Sequence, residues 1–169
     1  MNEKFSAGGN SPKQTLSTLW EFALAAYAAP IIQRHCLYLQ DHYQMDVNML
    51  LAAGFCGRNG LMWTEPFCRI LINIAAPIRE QYILPIRALR LEAYGSDGLY
   101  TALKKAEIEA ERIEISSLAA ELAKQVAGDV DRTDVANNLL VYAALEVDIN
   151  QANLQLMLAE LAAKFLEIS

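Results

Sequence analysis

Apolar residues recur along most of the chain at intervals of three and four, the spacing that places them on one side of an α-helix. Alternation with a period of two, which is typical of strands, is not sustained anywhere in the sequence. The pattern predicts an all-α, single-domain helical bundle of about seven or eight helices around a long central helix. We expect residues 16–169 to form this domain and residues 1–15 to form a disordered N-terminal tail.

The stretch 99–126 is the predicted central helix because it carries two apolar stripes on nearly opposite sides. The stripes are Leu103, Ala106, Ala110, Ile113 and Ser117, and Ile108, Ile115, Ala119, Leu122 and Val126. An acidic flank of Glu107, Glu111 and Glu114 runs between them. Since a surface helix needs one apolar stripe, two stripes predict neighbours along both edges.

Capping signals divide the rest of the chain. Thr18 and Glu21 can form a capping box at the start of the first helix, and Pro30 ends that helix and begins the second. Asp46 and Thr64 are the predicted N-caps of the third and fourth helices. Two further helices are expected, one beginning near residues 131–134 and one over residues 150–166.

Two prolines are expected to break or bend the helices that precede the central helix. Pro77 is expected to interrupt the fourth helix and to start a fifth. The predicted core stripe of that fifth helix is Ile78, Tyr82, Ile86, Leu89 and Ala93. Pro85 lies inside it and predicts a kink near Gln81, because a proline leaves the carbonyl four residues earlier without its donor.

Composition narrows the class of protein. Hydrophobic residues make up 54% of the chain and the mean hydropathy is +0.16, which fits a large core or a subunit interface. The net charge of −6 argues against a partner such as nucleic acid, which needs a basic face.

The longest nearly apolar run, residues 22–32, is shorter than the ~20 residues of a membrane span. Glu21 argues against a secretory signal, so we expect a cytoplasmic protein without a membrane span.

Cysteines and histidines do not indicate a catalytic or metal site. Cys36, Cys56 and Cys68 form no CxxC pair and are predicted to be small buried residues in a reducing compartment. His35 and His42 are two helical turns apart, ~10 Å, whereas metal ligands on one helix lie three or four residues apart. With no nucleophile-elbow or phosphate-loop motif either, no cofactor is expected and the sequence favours a non-enzymatic protein.

The candidate site is a group of charged residues shared by the fifth and central helices. The turn at residues 95–98 folds these helices antiparallel, which brings together the following side chains: Arg87, Arg90, Lys104, Glu107 and Glu111. One interpretation is a structural ladder of Arg–Glu pairs that fixes how the hairpin packs. The other is an anion pocket in which Arg87, Arg90 and Lys104 hold a phosphate or carboxylate.

Several blocks resemble a family of bacterial proteins of unknown function. The early blocks are W-E-F-A-L-A-A-Y at residues 20–27, C-L-Y-L-Q-D at 36–41 and D-V-N at 46–48, and the later ones are P-I-R-A-L-R at 85–90 and A-E-I-E-A-E-R at 106–112. The resemblance covers residues 19–112 and implies no activity. It also implies a glycine after the second helix, where this chain has Gln44.

Two functions remain open. The first is a non-enzymatic protein-interaction or regulatory module that binds a protein partner or a second copy of itself, which the high apolar fraction favours. The second is a binder of, or an enzyme acting on, a small anionic or lipid-like ligand through the Arg87 and Arg90 face.

Overall fold

The computed structural model describes residues 18–169, and every regular element within that range is helical. The elements are α1 (Leu19–Ala28), α2 (Pro30–Tyr43), α3 (Val47–Arg58), α4 (Glu65–Ile78), a π-helical segment (Arg79–Ile83), α5 (Leu84–Glu92), α6 (Asp97–Leu122), α7 (Asp134–Glu146) and α8 (Ala152–Glu167). The predicted all-α bundle is therefore confirmed. The predicted tail, residues 1–15, lies outside the described residues.

Capping side chains determine where the early helices begin, as the sequence predicts. The Thr18 hydroxyl accepts the Glu21 amide at 3.2 Å, and the Glu21 carboxylate accepts the Thr18 amide at 2.8 Å, which completes the capping box. Asp46 and Thr64 cap α3 and α4, and Pro30 occupies the first turn of α2.

The core lies around α3, the most deeply buried helix, which packs closely against α7. Gly57 allows this approach, because a Cβ at that position would collide with the backbone of Val135. The amide side chain of Asn138 on α7 joins the same contact. It accepts the Trp63 amide at 2.7 Å and donates to the Leu61 carbonyl at 2.9 Å. Helices α1, α4, α6 and α8 surround this pair.

Residue 44 closes α2 in the left-handed conformation that glycine prefers. Gln44 has φ 57° and ψ 24°. Arg79 fixes the turn, since its Nη2 donates to the Gln44 carbonyl at 2.9 Å. A non-glycine residue therefore occupies the position where the family resemblance implies glycine.

Helix α4, the π segment and α5 form one continuous helical rod, so the predicted break at Pro77 is wrong. Asn73 and Pro77 are both exposed, so the carbonyl that loses its donor faces water. The kink predicted near Gln81 corresponds to the π segment, whose centre is residue 81. The Leu84 amide donates to the Arg79 carbonyl five residues earlier, a register that accommodates the missing N–H of Pro85.

The prediction of two buried stripes on α6 is wrong in part. Ile115 and Leu122 are buried, but Ile108, Ile113 and Val126 expose 40%, 56% and 92% of their surface. The helix also ends at Leu122, so Val126 lies beyond it. The acidic flank, which the sequence places between the two stripes, faces inward, since Glu107 and Glu114 are buried.

The predicted core stripe of the fifth helix is also wrong in part. Ala93 is buried, but Tyr82 and Leu89 expose 54% and 53% of their surface. The π turn holds about one residue more than an α turn, which rotates the face that follows it. That rotation and the buried carboxylate of Glu107 turn Arg87 and Arg90 toward α6.

Candidate functional site

A ladder of ion pairs joins α5 to α6. Arg87 Nε donates to Glu107 Oε1 at 2.7 Å, and Arg90 Nε donates to Glu107 Oε2. Arg87 Nη2 also donates to Glu111 Oε1 at 3.3 Å. The side chain of Glu107 is 9% exposed and those of the two arginines are 18% and 20% exposed. The structure thus brings four of the five predicted site residues into direct contact.

Two neutral side chains that sequence reasoning missed extend the ladder. Arg87 Nη1 donates to Gln40 Oε1 of α2 at 2.9 Å, and Arg90 Nη1 donates to the Tyr100 hydroxyl at 3.3 Å. Tyr100 lies two turns before Glu107 on the same side of α6, a spacing that could have identified it. Gln40 lies 47 residues from Arg87, and only the tertiary fold brings the two together.

Lys104, the fifth predicted residue, stands apart from the ladder. It is exposed at the edge of the same cleft, and no ion pair or hydrogen bond of its side chain is found among residues 18–169. Its ammonium group is therefore more accessible to solvent than the two guanidinium groups, whose side chains are 18% and 20% exposed.

The two carboxylates of the ladder have different pKa values. Burial favours the neutral form of Glu107, but the hydrogen bonds and charges of Arg90 and Arg87 outweigh burial and hold its pKa below the ordinary value. Burial and the neighbouring charge of Glu107 raise the pKa of Glu111 to about 6, against the opposing effect of Arg87. The net charge of the ladder consequently changes near pH 6.

The ladder forms one end of a cleft of about 640 Å³. Apolar side chains of α1, α2 and α6 line the rest, among them Leu24, Leu37 and Ile108, which expose 54%, 38% and 40% of their surface. Trp20 lines the same wall, with the Arg112 guanidinium 4.7 Å from the centre of its ring. The volume lies within the range of ~300–1,000 Å³ that is typical of small-molecule sites.

A separate buried acid lies further along α6. Glu114 is fully buried, and within the described part of the chain neither carboxylate oxygen has a hydrogen-bond partner. Burial, and then the carboxylate of Asp46, raise its pKa well above the ordinary value. Glu114 is accordingly protonated at neutral pH.

Neither a metal cluster nor a thiolate is found at these positions. No group of three His, Cys, Asp or Glu residues that could hold a metal occurs in the range 18–169. Cys36, Cys56 and Cys68 are buried, as predicted, and burial raises the pKa of each thiol to about 12. The thiols are therefore protonated at neutral pH.

These features define an all-α protein in which an ion-pair ladder closes one end of an amphipathic cleft. Residues 18–118, more than half of the chain, match the family described as "Protein of unknown function (DUF2390)", and the chain belongs to that family. No curated protein and no solved structure matched the chain. All cleft-lining residues lie between Trp20 and Ile115, inside the matched segment, whereas α7 and α8 lie outside it.

Proposed function

We propose that this protein is a non-enzymatic protein-interaction module of the cytoplasm that forms a homodimer through the outer face of α5. The observation that carries the proposal is the orientation of α5. Its two arginines contact Glu107, whereas Leu84, Leu89 and Leu91 expose 37%, 53% and 60% of their surface. None of its nine residues is buried in the part of the chain that the structure describes. An amphipathic surface helix normally has the opposite orientation.

Exposed apolar side chains also lie immediately before and after α5 in the chain. We call the whole set the arm face, and it consists of Tyr82, Leu84, Leu89, Leu91, Tyr94 and Leu99. Side chains of this size that are about half exposed amount to ~600 Å² together. This summed area approaches the ~800 Å² that each partner of a standard interface buries.

A second copy is the occupant that the arm face fits. A twofold dimer brings the same patch of both copies together, so the patch must tolerate its own charge. Besides the inward arginines, residues 82–99 contain two charges, Glu92 and Asp97, although the chain carries a net charge of −6. Two arm faces can therefore meet with little repulsion, and homodimer interfaces are the more apolar kind.

The cytoplasmic location is supported by the thiols. Three buried free cysteines suit a reducing compartment. None of the helices between residues 18 and 169 combines the length and apolarity that a membrane crossing requires.

Sedimentation equilibrium tests the proposed dimer. We expect the wild-type protein to be a dimer at micromolar concentration and Leu91→Lys to be a monomer with unchanged helical content. The matched control is Leu156→Lys on α8, because Leu91 and Leu156 expose 60% and 61% of their surface. A monomeric wild-type protein contradicts self-association. A dimer that Leu91→Lys leaves intact contradicts the choice of the arm face.

The cleft supports a second candidate function, the binding of a small anionic or lipid-like ligand. It combines an apolar wall with a cationic end that includes Lys104. A thermal-shift screen with phosphorylated and acidic metabolites tests this candidate, since a ligand that binds the folded state raises the melting temperature. If no compound raises it, the second candidate fails while the homodimer proposal stands.

A further inference from the structure

We propose that the cleft binds an amphiphile with a single apolar chain and a carboxylate head group, and that Lys104 binds the head group. This inference rests on the second candidate function, which leaves the ligand class and the contacting residues open. It also differs from the sequence-based hypothesis, in which Arg87 and Arg90 share the anion with Lys104.

Five of the six guanidinium nitrogens of the ladder already have a side-chain partner, and Arg90 Nη2 is the exception among the described residues. All three nitrogens of Arg87 donate to side chains of the protein, to Glu107, Gln40 and Glu111. Arg90 uses Nε and Nη1 in the same way. An anion at Arg87 would share a guanidinium group that already pairs with Glu107 and Glu111. Lys104 can instead offer an ammonium group with three donors.

The charge at this end of the cleft favours one negative charge in the ligand. Three cations, Arg87, Arg90 and Lys104, face two carboxylates, Glu107 and Glu111, so the end carries one excess positive charge when both acids are ionised. A carboxylate head group neutralises that excess. A doubly charged phosphate would leave a negative charge beside the carboxylate of Glu107, which is held in its ionised form.

The apolar wall determines the rest of the ligand. Leu24, Leu37 and Ile108 come from three different helices, face one cleft and remain partly exposed in the described structure. A small acidic metabolite would leave them in contact with water. An apolar chain would cover them, and each methylene buried contributes ~0.8 kcal/mol.

Titration of Glu111 is expected to modulate the binding. Glu111 is faced by Glu107 on α6, Arg87 on α5, Tyr27 on α1 and Asp46 at the start of α3. Protonation of Glu111 removes one negative charge from the cleft. The affinity for a carboxylate should therefore rise a few-fold from neutral pH to about pH 6, where Glu111 titrates.

Tryptophan fluorescence provides a direct readout, because Trp20 lines the cleft and Trp63 is buried elsewhere in the core. The probes are decanoate, which has both the apolar chain and the carboxylate, decanol, which has the chain alone, and acetate, which has the carboxylate alone. We expect saturable binding of decanoate, weaker binding of decanol and none of acetate. Lys104→Gln should lower the affinity for decanoate about tenfold, the effect of losing one charge-assisted hydrogen bond. It should leave the affinity for decanol unchanged.

Neighbouring residues of the same type provide the controls. Lys105→Gln should leave decanoate binding unchanged, because Lys105 is exposed and does not line the cleft. Ile108→Asn should weaken binding, whereas Ile113→Asn, on the exposed side of α6, should not.

Each opposite outcome overturns a defined part of the inference. Equal affinities for decanoate and decanol, or equal effects of Lys104→Gln and Lys105→Gln, refute the head-group assignment but leave a ligand-binding cleft. Equal effects of Ile108→Asn and Ile113→Asn show adsorption outside the cleft and refute the amphiphile site. If neither decanoate nor decanol binds, the amphiphile class is wrong, and the metabolite screen then decides the second candidate function on its own.

Discussion

Glu107 accepts hydrogen bonds from two guanidinium groups while its side chain is 9% exposed. Replacing it with glutamine leaves Arg87 and Arg90 without their shared counter-charge. Breaking a buried pair destabilises a protein by about 3–5 kcal/mol, and we expect about 3 kcal/mol for Glu107→Gln because both arginines keep some contact with water.

Urea denaturation measures this loss. The control is Glu109→Gln, whose carboxylate is 67% exposed and 3.8 Å from Arg112, so its effect should stay below about 0.5 kcal/mol. If the two variants lose the same free energy of unfolding, the ladder does not stabilise the hairpin.

Glu114 makes stability depend on pH. Its pKa in the folded protein is raised above the ordinary value of 4.5, so the folded state keeps a proton that the unfolded chain releases. The contribution of Glu114 to the free energy of unfolding is fully present below about pH 4.5. It falls as the pH rises toward the folded pKa, by up to ~1.4 kcal/mol per pH unit. We expect this decline to begin above about pH 4.5 and to continue toward the folded pKa of about 10, and above about pH 6.5 it is separated from the titration of Glu111.

Glu114→Gln tests this assignment, because the amide cannot release a proton. Urea denaturation across the same pH range should give a flatter profile for Glu114→Gln than for the wild-type protein or for Glu109→Gln. Parallel profiles for all three proteins would show that Glu114 is ionised in the folded state.

For single residues, the sequence predicts which side chains of the hairpin are neighbours better than it predicts which side chains are buried. Counting outward from the turn at residues 95–98 places Arg87 opposite about Ala106 and Arg90 opposite about Leu103, with the acidic flank nearby. The burial of Glu114 is not predictable in this way, since only tertiary packing encloses this residue.

Among the elements, α5 is attached to the bundle by polar contacts and lacks a buried residue in the described structure. Elements with few buried apolar contacts open with a lower free energy than core elements. In the monomeric variant Leu91→Lys, amides of α5 should therefore exchange with deuterium much faster than those of α3. Mass spectrometry of exchanged peptides checks this, and equal protection of the two helices would contradict a marginally held α5.

Helix boundaries follow from the sequence where a cap determines them, as at Thr18, Asp46 and Thr64. The outward face of α5 does not follow, because helical periodicity assumes an unbroken register. Pro85 replaces one α turn with a π turn, and the residues after it face a different direction.

In the whole molecule, the many apolar residues lie in two places, a core around α3 and α7 and the exposed arm face. Composition predicts the excess, and the bundle follows from the spacing of apolar residues. Which apolar residues remain outside depends on the fold, because Leu89 has the same helical spacing as a core residue.

Alkylation of a single introduced thiol tests the homodimer through the arm face most directly, since all three native cysteines are buried. Leu91→Cys and Leu156→Cys place a thiol at 60% and 61% exposed positions on α5 and α8. We expect the first thiol to react more slowly as protein concentration rises and the second to react at a constant rate. Constant and equal rates for both thiols at all concentrations would contradict the proposed homodimer.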